Sequence, residues 1–475
     1  MRKYLVALLS VMMILAFAVS SDARHEVKDQ FEYQPQVVKS SKAMITLGGH
    51  IRIRGEISDN NSDLRDTDEN DVASEANDDW RDDEAHWNQR VRLNLKATVS
   101  PNSLAFVELE SADGSTEDKL DGSDGWTWGT GAEGASGLYQ VSNSKRGDLR
   151  VRQAYISHQN NALGVPAGFK AGHMLLALGN GLFFDHSKFG DDAILFWISP
   201  ADAIEISLIG IKFEEGSSSL SDDTDAYVVS VEGGAGPVNF SADVTYVVDN
   251  NFAFSADEGD RRVNMNLWNI GLRADADAGP VNIYGDVEFQ TGEIEDGDAD
   301  TDLSGYAAMV GAEANVGAVT VHGEFAYGSG DENIEDPNDD EFEGFITSIG
   351  SGQHYTYLYD QHVITAAGAS NTGLSNTWYL NAGLSAKAGS DIKISADLYY
   401  LEASEKVAED SPTTTEDTEI GVELDGKITY QIDTNLVYYV EAGYLWAGDF
   451  YENVTGDDGN IDNPWSVRQG IVFNF

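Results

Sequence analysis

Stretches of about ten residues with apolar side chains at every second position recur through most of this chain, and they constrain its fold more than any other feature. In Val238 to Val248 the apolar set is Val238, Phe240, Ala242, Val244, Tyr246 and Val248, with Asn239, Ser241, Asp243 and Thr245 between. In Val281 to Gln290, Val281, Ile283, Val287 and Phe289 alternate with Asn282, Asp286, Glu288 and Gln290, and the pattern returns in Ile392 to Tyr400 and Ile420 to Tyr430. Successive side chains of a strand point to opposite faces, so each stretch reads as a strand with one oily and one polar face. About ten residues is also the length a tilted strand needs to cross a bilayer.

A soluble sandwich alternates too, so the connections must decide. Short turns fall at Ser100 to Asn102, Asn160 to Pro166, Ser199 to Asp202, Gly233 to Pro237, Asp277 to Pro280, Gly317, Ala388 to Ser390 and Ile432 to Thr434. Between them lie nine longer polar segments, near 58–85, 113–147, 174–191, 214–224, 249–262, 292–302, 329–373, 404–416 and 447–464. Eight short and nine long connections, strictly alternating, join eighteen strands and leave both chain ends on the short-turn side. Sorting connections to two rims is a property of bacterial outer-membrane barrels. The expected fold is therefore an all-β, transmembrane antiparallel β-barrel of about 18 strands over residues 43–475.

The last segment fits. Trp465, Val467, Ile471, Phe473 and Phe475 share one face, Ser466, Arg468, Gly470 and Asn474 the other, and Val472 breaks the pattern. A terminal aromatic closing an amphipathic strand resembles the assembly signal of outer-membrane barrels. Trp378, Tyr379, Tyr399, Tyr400, Tyr444, Trp446 and Trp465 gather near strand ends, where girdles at the membrane interfaces are expected.

The first residues point to export. Arg2 and Lys3 precede an apolar run from Tyr4 to Val19, and Ser21-Asp22-Ala23 supplies small residues for cleavage after Ala23, with Ala16-Phe17-Ala18 as the second choice. A signal peptide over 1–23 is followed by a short periplasmic segment over 24–42. Its apolar run is short for a spanning helix, and later in the sequence nothing approaches that length, so strands must do the spanning. Cysteine is absent, which excludes disulfides and thiolate metal sites and agrees with an envelope protein of a Gram-negative bacterium.

Charge then separates the two faces of the wall. The chain carries 29 Lys+Arg against 81 Asp+Glu, a formal charge of -52, which repels a phosphate backbone and excludes nucleic acid as a partner. In "GGHIRIRGEI", Ile51, Ile53 and Ile57 point one way while His50, Arg52, Arg54 and Glu56 point the other. In a membrane barrel the oily face meets lipid and the charged face lines the lumen, because a charge at the lipid midplane costs about 2–4 kcal/mol. Arg90, Arg92 and Lys96 on the second strand, Arg150 and Arg152 on the fourth and Arg468 on the last join Arg52 and Arg54 in a basic wall. Glu56, Glu108 and Glu110 sit among or beside these strands and are placed to pair with the arginines. Elsewhere the inward positions are acidic: Asp243, Asp286, Glu288, Glu313, Glu324, Asp397, Glu423, Asp425 and Glu441. The two walls would set a field across the lumen that orients ions and dipolar solutes, or would form ion-paired ladders that hold the barrel together.

Outer-membrane lipid and small hydrophilic solutes are the partners this pattern implies, and association into a homo-oligomer is compatible with it. The acidic loops, among them Asp59 to Glu84 and "EDGDADTD" at Glu295 to Asp302, offer oxygen ligands to hard cations such as calcium. None matches the full calcium-loop pattern, so solvated loops that hold divalent cations loosely are expected rather than a built metal site. The sequence asks for no cofactor. His173 and His186 could suggest a catalytic base, but no Gly-x-Ser-x-Gly elbow or His-Glu-x-x-His is present and the other histidines are scattered, so an enzyme is not expected.

Two stretches carry a family resemblance. "LRVRQAYISH" with the following "GFKAGHMLLALGNGLFFDHSKFG", and "GFITSIGSGQHYTYLYD" at Gly344 to Asp360, resemble segments of outer-membrane porins of the alginate-export type. The resemblance implies an eighteen-stranded barrel passing an anionic solute along inward arginines, here Arg52, Arg54, Arg90, Arg92, Arg150 and Arg152. The many lumen carboxylates depart from that pattern and speak against a polyuronate. The functional expectation is a porin for weakly selective diffusion of small polar or anionic solutes. The alternative is a barrel sheath around a partner such as an exported cytochrome. A long loop folded inward, Ser329 to Gly373 or Asp113 to Gly147, would favour the porin, and a wide lumen the sheath.

Overall fold

The computed structural model describes residues 36–39, 43–60, 64, 84–112, 126–127, 148–161, 163–216, 222–253, 262–296, 299–331, 340–349, 355–367, 372–406, 417–451 and 461–475. The expected leader over 1–23 and most of 24–42 lie outside them, as do most of the acidic loop segments considered as cation ligands.

Eighteen long strands, each antiparallel to its neighbours, form the wall. The first six are β1 (Met44–Asp59), β2 (Glu84–Ser100), β3 (Ser103–Ala112), β4 (Asp148–Asn160), β5 (Ala167–Met174) and β6 (Asp191–Ala201). The next six are β7 (Ile204–Glu214), β8 (Thr224–Ala235), β9 (Val238–Ala253), β10 (Arg262–Ala278), β11 (Val281–Asp296) and β12 (Tyr306–Val316). The last six are β13 (Val319–Gly328), β14 (Thr377–Ala388), β15 (Ile392–Ala403), β16 (Glu419–Asp433), β17 (Leu436–Ala447) and β18 (Trp465–Asn474). The strand number and all seventeen connections agree with the sequence expectation.

The sheet closes where β18 pairs with β1, from His50 opposite Asn474 to Asp59 opposite Trp465. Reciprocal backbone bonds between Gly49 and Phe475, at 2.9 and 3.0 Å, extend the seam by one residue. Below that point a short strand, Gln36–Lys39, pairs with Met44 to Leu47, so part of the segment expected to precede the barrel extends its sheet. On the short-turn rim, Gly236 and Gly279 open two-residue Gly-Pro links with φ of 65° and 74°, the left-handed conformation that tight hairpins need.

Outside, the alternation presents Ile57, Leu93, Ile156, Ile194, Phe196, Val229, Leu272, Phe289, Val310 and Ile428 as exposed apolar side chains, a belt that suits lipid rather than water. Stacked or tilted ring pairs Tyr246 with Trp268, Tyr306 with Tyr327, Trp378 with Tyr400 and Tyr444 with Trp446 crown this belt at the long-loop end. Tyr379 and Tyr399, expected in that girdle, instead turn inward and are buried. Period two decides the matter, since residues next to Trp378 and Tyr400 must take the other face.

The inner face is not polar throughout. Toward the loop end, Ile209, Ile211, Ala226, Val228, Val247, Met265 and Leu267 point into the barrel and pack with Leu178, Phe183, Phe184 and Phe345 from two connections. A second cluster packs Leu358, Tyr359, Val363 and Leu374 from the longer connection against Tyr379, Tyr399, Leu401, Ile420 and Leu445 of the wall. Two apolar cores therefore lie inside the barrel. Each fully buried Phe or Leu in them contributes about 1.5–3 kcal/mol to holding its loop there.

Candidate functional site

The basic wall is assembled by strand register. Arg52 lies directly opposite Arg90, His50 opposite Arg92, and Arg92 in turn opposite Glu110. Like charges face to face on neighbouring strands repel, so carboxylates must be interleaved. Glu110 meets Arg92 in a close ion pair and lies 4.0 Å from Arg90, while Glu108 takes Arg152 at 2.9 Å and Arg92 at 3.9 Å. The Arg90 guanidinium also contacts His50 at 3.3 Å. Arg52, Arg54, Arg90 and Arg92 all face inward and are buried.

Arg152 owes its direction to a bulge. The pairing of β3 with β4 slips between Glu108 and Leu109, so Arg152 and Gln153 both turn inward and both bond Glu108. Arg150, opposite Glu110 near the loop end, is exposed, and so is Lys96 toward the short turns. Across the seam, Arg468 donates twice to Glu56, at 2.9 and 3.1 Å, and Arg54 stands 3.8 Å from the same carboxylate. The planar guanidinium suits this two-pronged contact, which a lysine could not make.

The acidic wall is organised around a cation that the sequence reading passed over. Arg273, on β10, bonds Asp243 and Glu288 closely and Asp286 at 3.2 Å. Its signal was a lone arginine at an inward position between acidic strands. Further round, Glu324 accepts the hydroxyls of Tyr284 and Tyr379, Asp397 holds His322 at 2.7 Å, and Glu441 holds Lys427 at 2.6 Å. These contacts form a ladder along the wall.

Among the described residues, two long connections run through the lumen, and Leu64, Phe450 and Tyr451 of two others pack into the second apolar core beside them. One, 175–190, was expected only as an ordinary loop. The amide of Asn180 in it donates to Asp286 at 3.1 Å, and Gly179 lies so close to Arg273 that a side chain there would collide with the guanidinium. Its far end is tied to the basic wall, because Arg152 donates to the carbonyls of Ser187 and Lys188 at 2.9 and 3.2 Å. The other is 329–376, one of the two segments expected to fold in. The second of those segments, 113–147, is described only at Trp126–Thr127, which pairs with Gln89 and Asn88 of β2 in the plane of the wall.

The longer connection is pinned by carboxylates. Glu423 accepts the amides of Tyr357, Leu358 and Tyr359 at 2.9, 2.6 and 2.9 Å, and Asp425 also accepts from Tyr357. From that anchor the segment reaches the seam. The Tyr357 hydroxyl lies 3.1 Å from Ser466, its ring sits 5.0 Å from the Arg468 guanidinium, and His362 approaches Glu56 at 3.5 Å. Burial pushes the hydroxyls of Tyr355, Tyr357 and Tyr359 well above the usual phenol range, so they act as neutral donors. Inside the barrel the two connections join. Phe184–Asp185 and Ser348–Ile349 form a parallel pair, and His186 bridges Asp191 at 2.8 Å and Ser348 at 3.2 Å.

No protein-family model and no curated protein matches the chain. Solved structures do match. The outer membrane protein OprD from Pseudomonas aeruginosa is 10% identical with a TM-score of 0.51, covering 91% of this chain and 93% of its own. OccK9 (OpdG) of the same organism is 11% identical with a TM-score of 0.51, covering 91% of this chain and 98% of its own. Pseudomonas aeruginosa OpdK, solved with vanillate, is 8% identical with a TM-score of 0.50, covering 90% of this chain and 98% of its own. These neighbours are outer-membrane porins, and none of them supports the narrower alginate-export resemblance. At such identity the likeness shows the fold, a closed eighteen-stranded barrel of the outer-membrane kind.

Proposed function

We propose that the chain is a porin of the Gram-negative outer membrane, exported with a leader over 1–23, that passes small polar or anionic solutes between its in-folded loops and its basic wall. The observation that carries this reading is the pair of connections, 175–190 and 329–376, anchored inside the barrel. A constriction is what gives a wide barrel selectivity for small solutes, and these loops leave Arg52, Arg54, Arg90, Arg92 and Arg152 on the wall they approach. The carboxylates opposite are engaged by Arg273 and by loop amides, whereas on the basic side the arginines outnumber the Glu56, Glu108 and Glu110 interleaved with them, so that side supplies the net charge that a solute meets. OpdK, a neighbour in fold, was solved with vanillate, a small carboxylate of the class such a wall would attract. The sheath reading loses ground because the same loops occupy the space that a partner within the barrel would need.

Single-channel conductance in a planar bilayer, with the reversal potential taken across a salt gradient, tests the reading. Stable open channels whose anion preference falls when Arg52, Arg54, Arg90 and Arg92 are replaced by Ala are expected. A folded, inserted protein that carries no current would overturn it.

A further inference from the structure

Beside the lumen mouth on the short-turn side lies a cavity of about 330 Å³ lined by Asn102, Gln159, Asn160, Asn161, Pro166 and Trp197. In a chain with 81 Asp+Glu, none of these six residues is charged. An ion would find no counter-charge there. The side-chain amides of Asn102, Gln159 and Asn161 each present two N–H donors and a carbonyl acceptor, while the Asn160 amide, on the other face of its strand, bonds His158 at 3.0 Å.

The frame is held by the backbone. The Gln159 amide donates to the Asn102 carbonyl at 2.9 Å, joining two turns, and the Ser199 amide donates to the Pro166 carbonyl at 2.8 Å. Trp197 faces inward, since Ile194 and Phe196 take the lipid side of the same strand. Directly across from it stands Gly168, where a Cβ would fall 2.7 Å from the indole ring. Lacking that carbon, the strand lets the ring lie against bare backbone, and the part left uncovered borders the cavity.

We propose that this cavity is a subsite for an uncharged sugar ring, with Trp197 as the stacking face and the amides of Asn102, Gln159 and Asn161 as hydrogen-bond partners. A pyranose has an apolar C–H face that suits an aromatic ring and a rim of hydroxyls that both donate and accept, as amides do. The volume lies at the low end of the roughly 300–1,000 Å³ typical of small-molecule sites, so it takes a monosaccharide unit rather than a longer chain. The inference deepens the channel reading by naming a solute class. It differs from the basic wall in chemistry and in position.

Saturation-transfer NMR on the purified, folded protein with methyl glucoside tests binding without reference to conductance. The expected result is transfer to the ring protons that W197A weakens roughly tenfold or more, that W197F largely keeps, and that sorbitol, with hydroxyls but no ring, does not show. No transfer from the wild type, equal transfer in W197A, or equal transfer to sorbitol would each overturn the subsite. Bilayer conductance measured on the same preparation reports separately on the channel, so the failure of one reading is distinguishable from the failure of the other.

Discussion

The backbone amide of Asn180 donates to the Asp286 carboxylate at 3.1 Å, joining the tip of the connection after β5 to a wall strand 106 residues further along the chain. Asp286 also receives Arg273, so one carboxylate holds the loop and the cation of the acidic wall together. Asp286→Asn keeps the shape and removes the charge from both bonds. Hydrogen bonds to charged groups are worth about 1.5–3 kcal/mol each. We expect faster hydrogen exchange in 176–184 and a larger single-channel conductance with the barrel intact. Unchanged exchange and conductance would show that the pin is dispensable.

Glu423 makes the complementary anchor, with three consecutive amides on one carboxylate. Glu423→Gln leaves an amide whose oxygen accepts more weakly and whose nitrogen faces donors. The prediction is amide exchange at Tyr357, Leu358 and Tyr359 faster by roughly ten- to a hundredfold, as a loss of about 1.4–3 kcal/mol implies. Exchange mass spectrometry on these residues, compared with the wall peptide of β17, reads it directly.

At the seam, Arg468 and Glu56 bind across the strands that close the barrel. Removing one member of a buried ion pair costs about 3–5 kcal/mol, because the other is left buried and uncompensated. Arg468→Ala should lower the temperature at which the folded band disappears on a heat-modifiability gel. The double variant Arg468→Ala/Glu56→Ala should recover part of the loss. A double variant worse than the sum of its parts would mean that the pair is not the coupled unit.

Much of this was legible before the structure. Lipid outside and charge inside impose period two on every strand, and short turns differ in composition from long loops, so eighteen strands and their order could be read directly. The direction of Arg52, Arg54, Arg90, Arg92 and Arg468 followed from the same parity. Loops that fold inward obey no period, and the inward role of 175–190 was missed. Its signal was present: "MLLALGNGLFF" is too apolar to lie in water, and Ile209, Ile211, Val228, Val247 and Leu267 are oily at positions where a water-filled lumen calls for polar residues. A strand apolar on both faces near the loop end says that something covers its inner face. Arg273 was missed because the acids around it were counted as a wall rather than as ligands of one cation.

The bridge between the two in-folded connections gives the last prediction. Asp191 only accepts, so Nδ1 of His186 carries the proton that faces it, and in the neutral ring Nε2 is left to accept the Ser348 hydroxyl. The ring also packs 4.5 Å from Phe184 and 5.2 Å from Phe213, which fixes its plane. His186→Ala removes both hydrogen bonds and the packing, whereas Ser348→Ala removes one neutral hydrogen bond, worth about 0.5–1.5 kcal/mol. The amide of Ser348 would still reach the Phe183 carbonyl at 2.7 Å, so the parallel pair survives the smaller change. We therefore expect a clear rise in conductance and in current noise for His186→Ala and a small one for Ser348→Ala. Adding Ser348→Ala to His186→Ala should change nothing further, because its partner has already gone. Equal effects of the two single changes would place the junction's strength in the one hydrogen bond they share rather than in the Asp191 contact and the ring packing, and no effect of either would mean that the two loops hold the constriction independently.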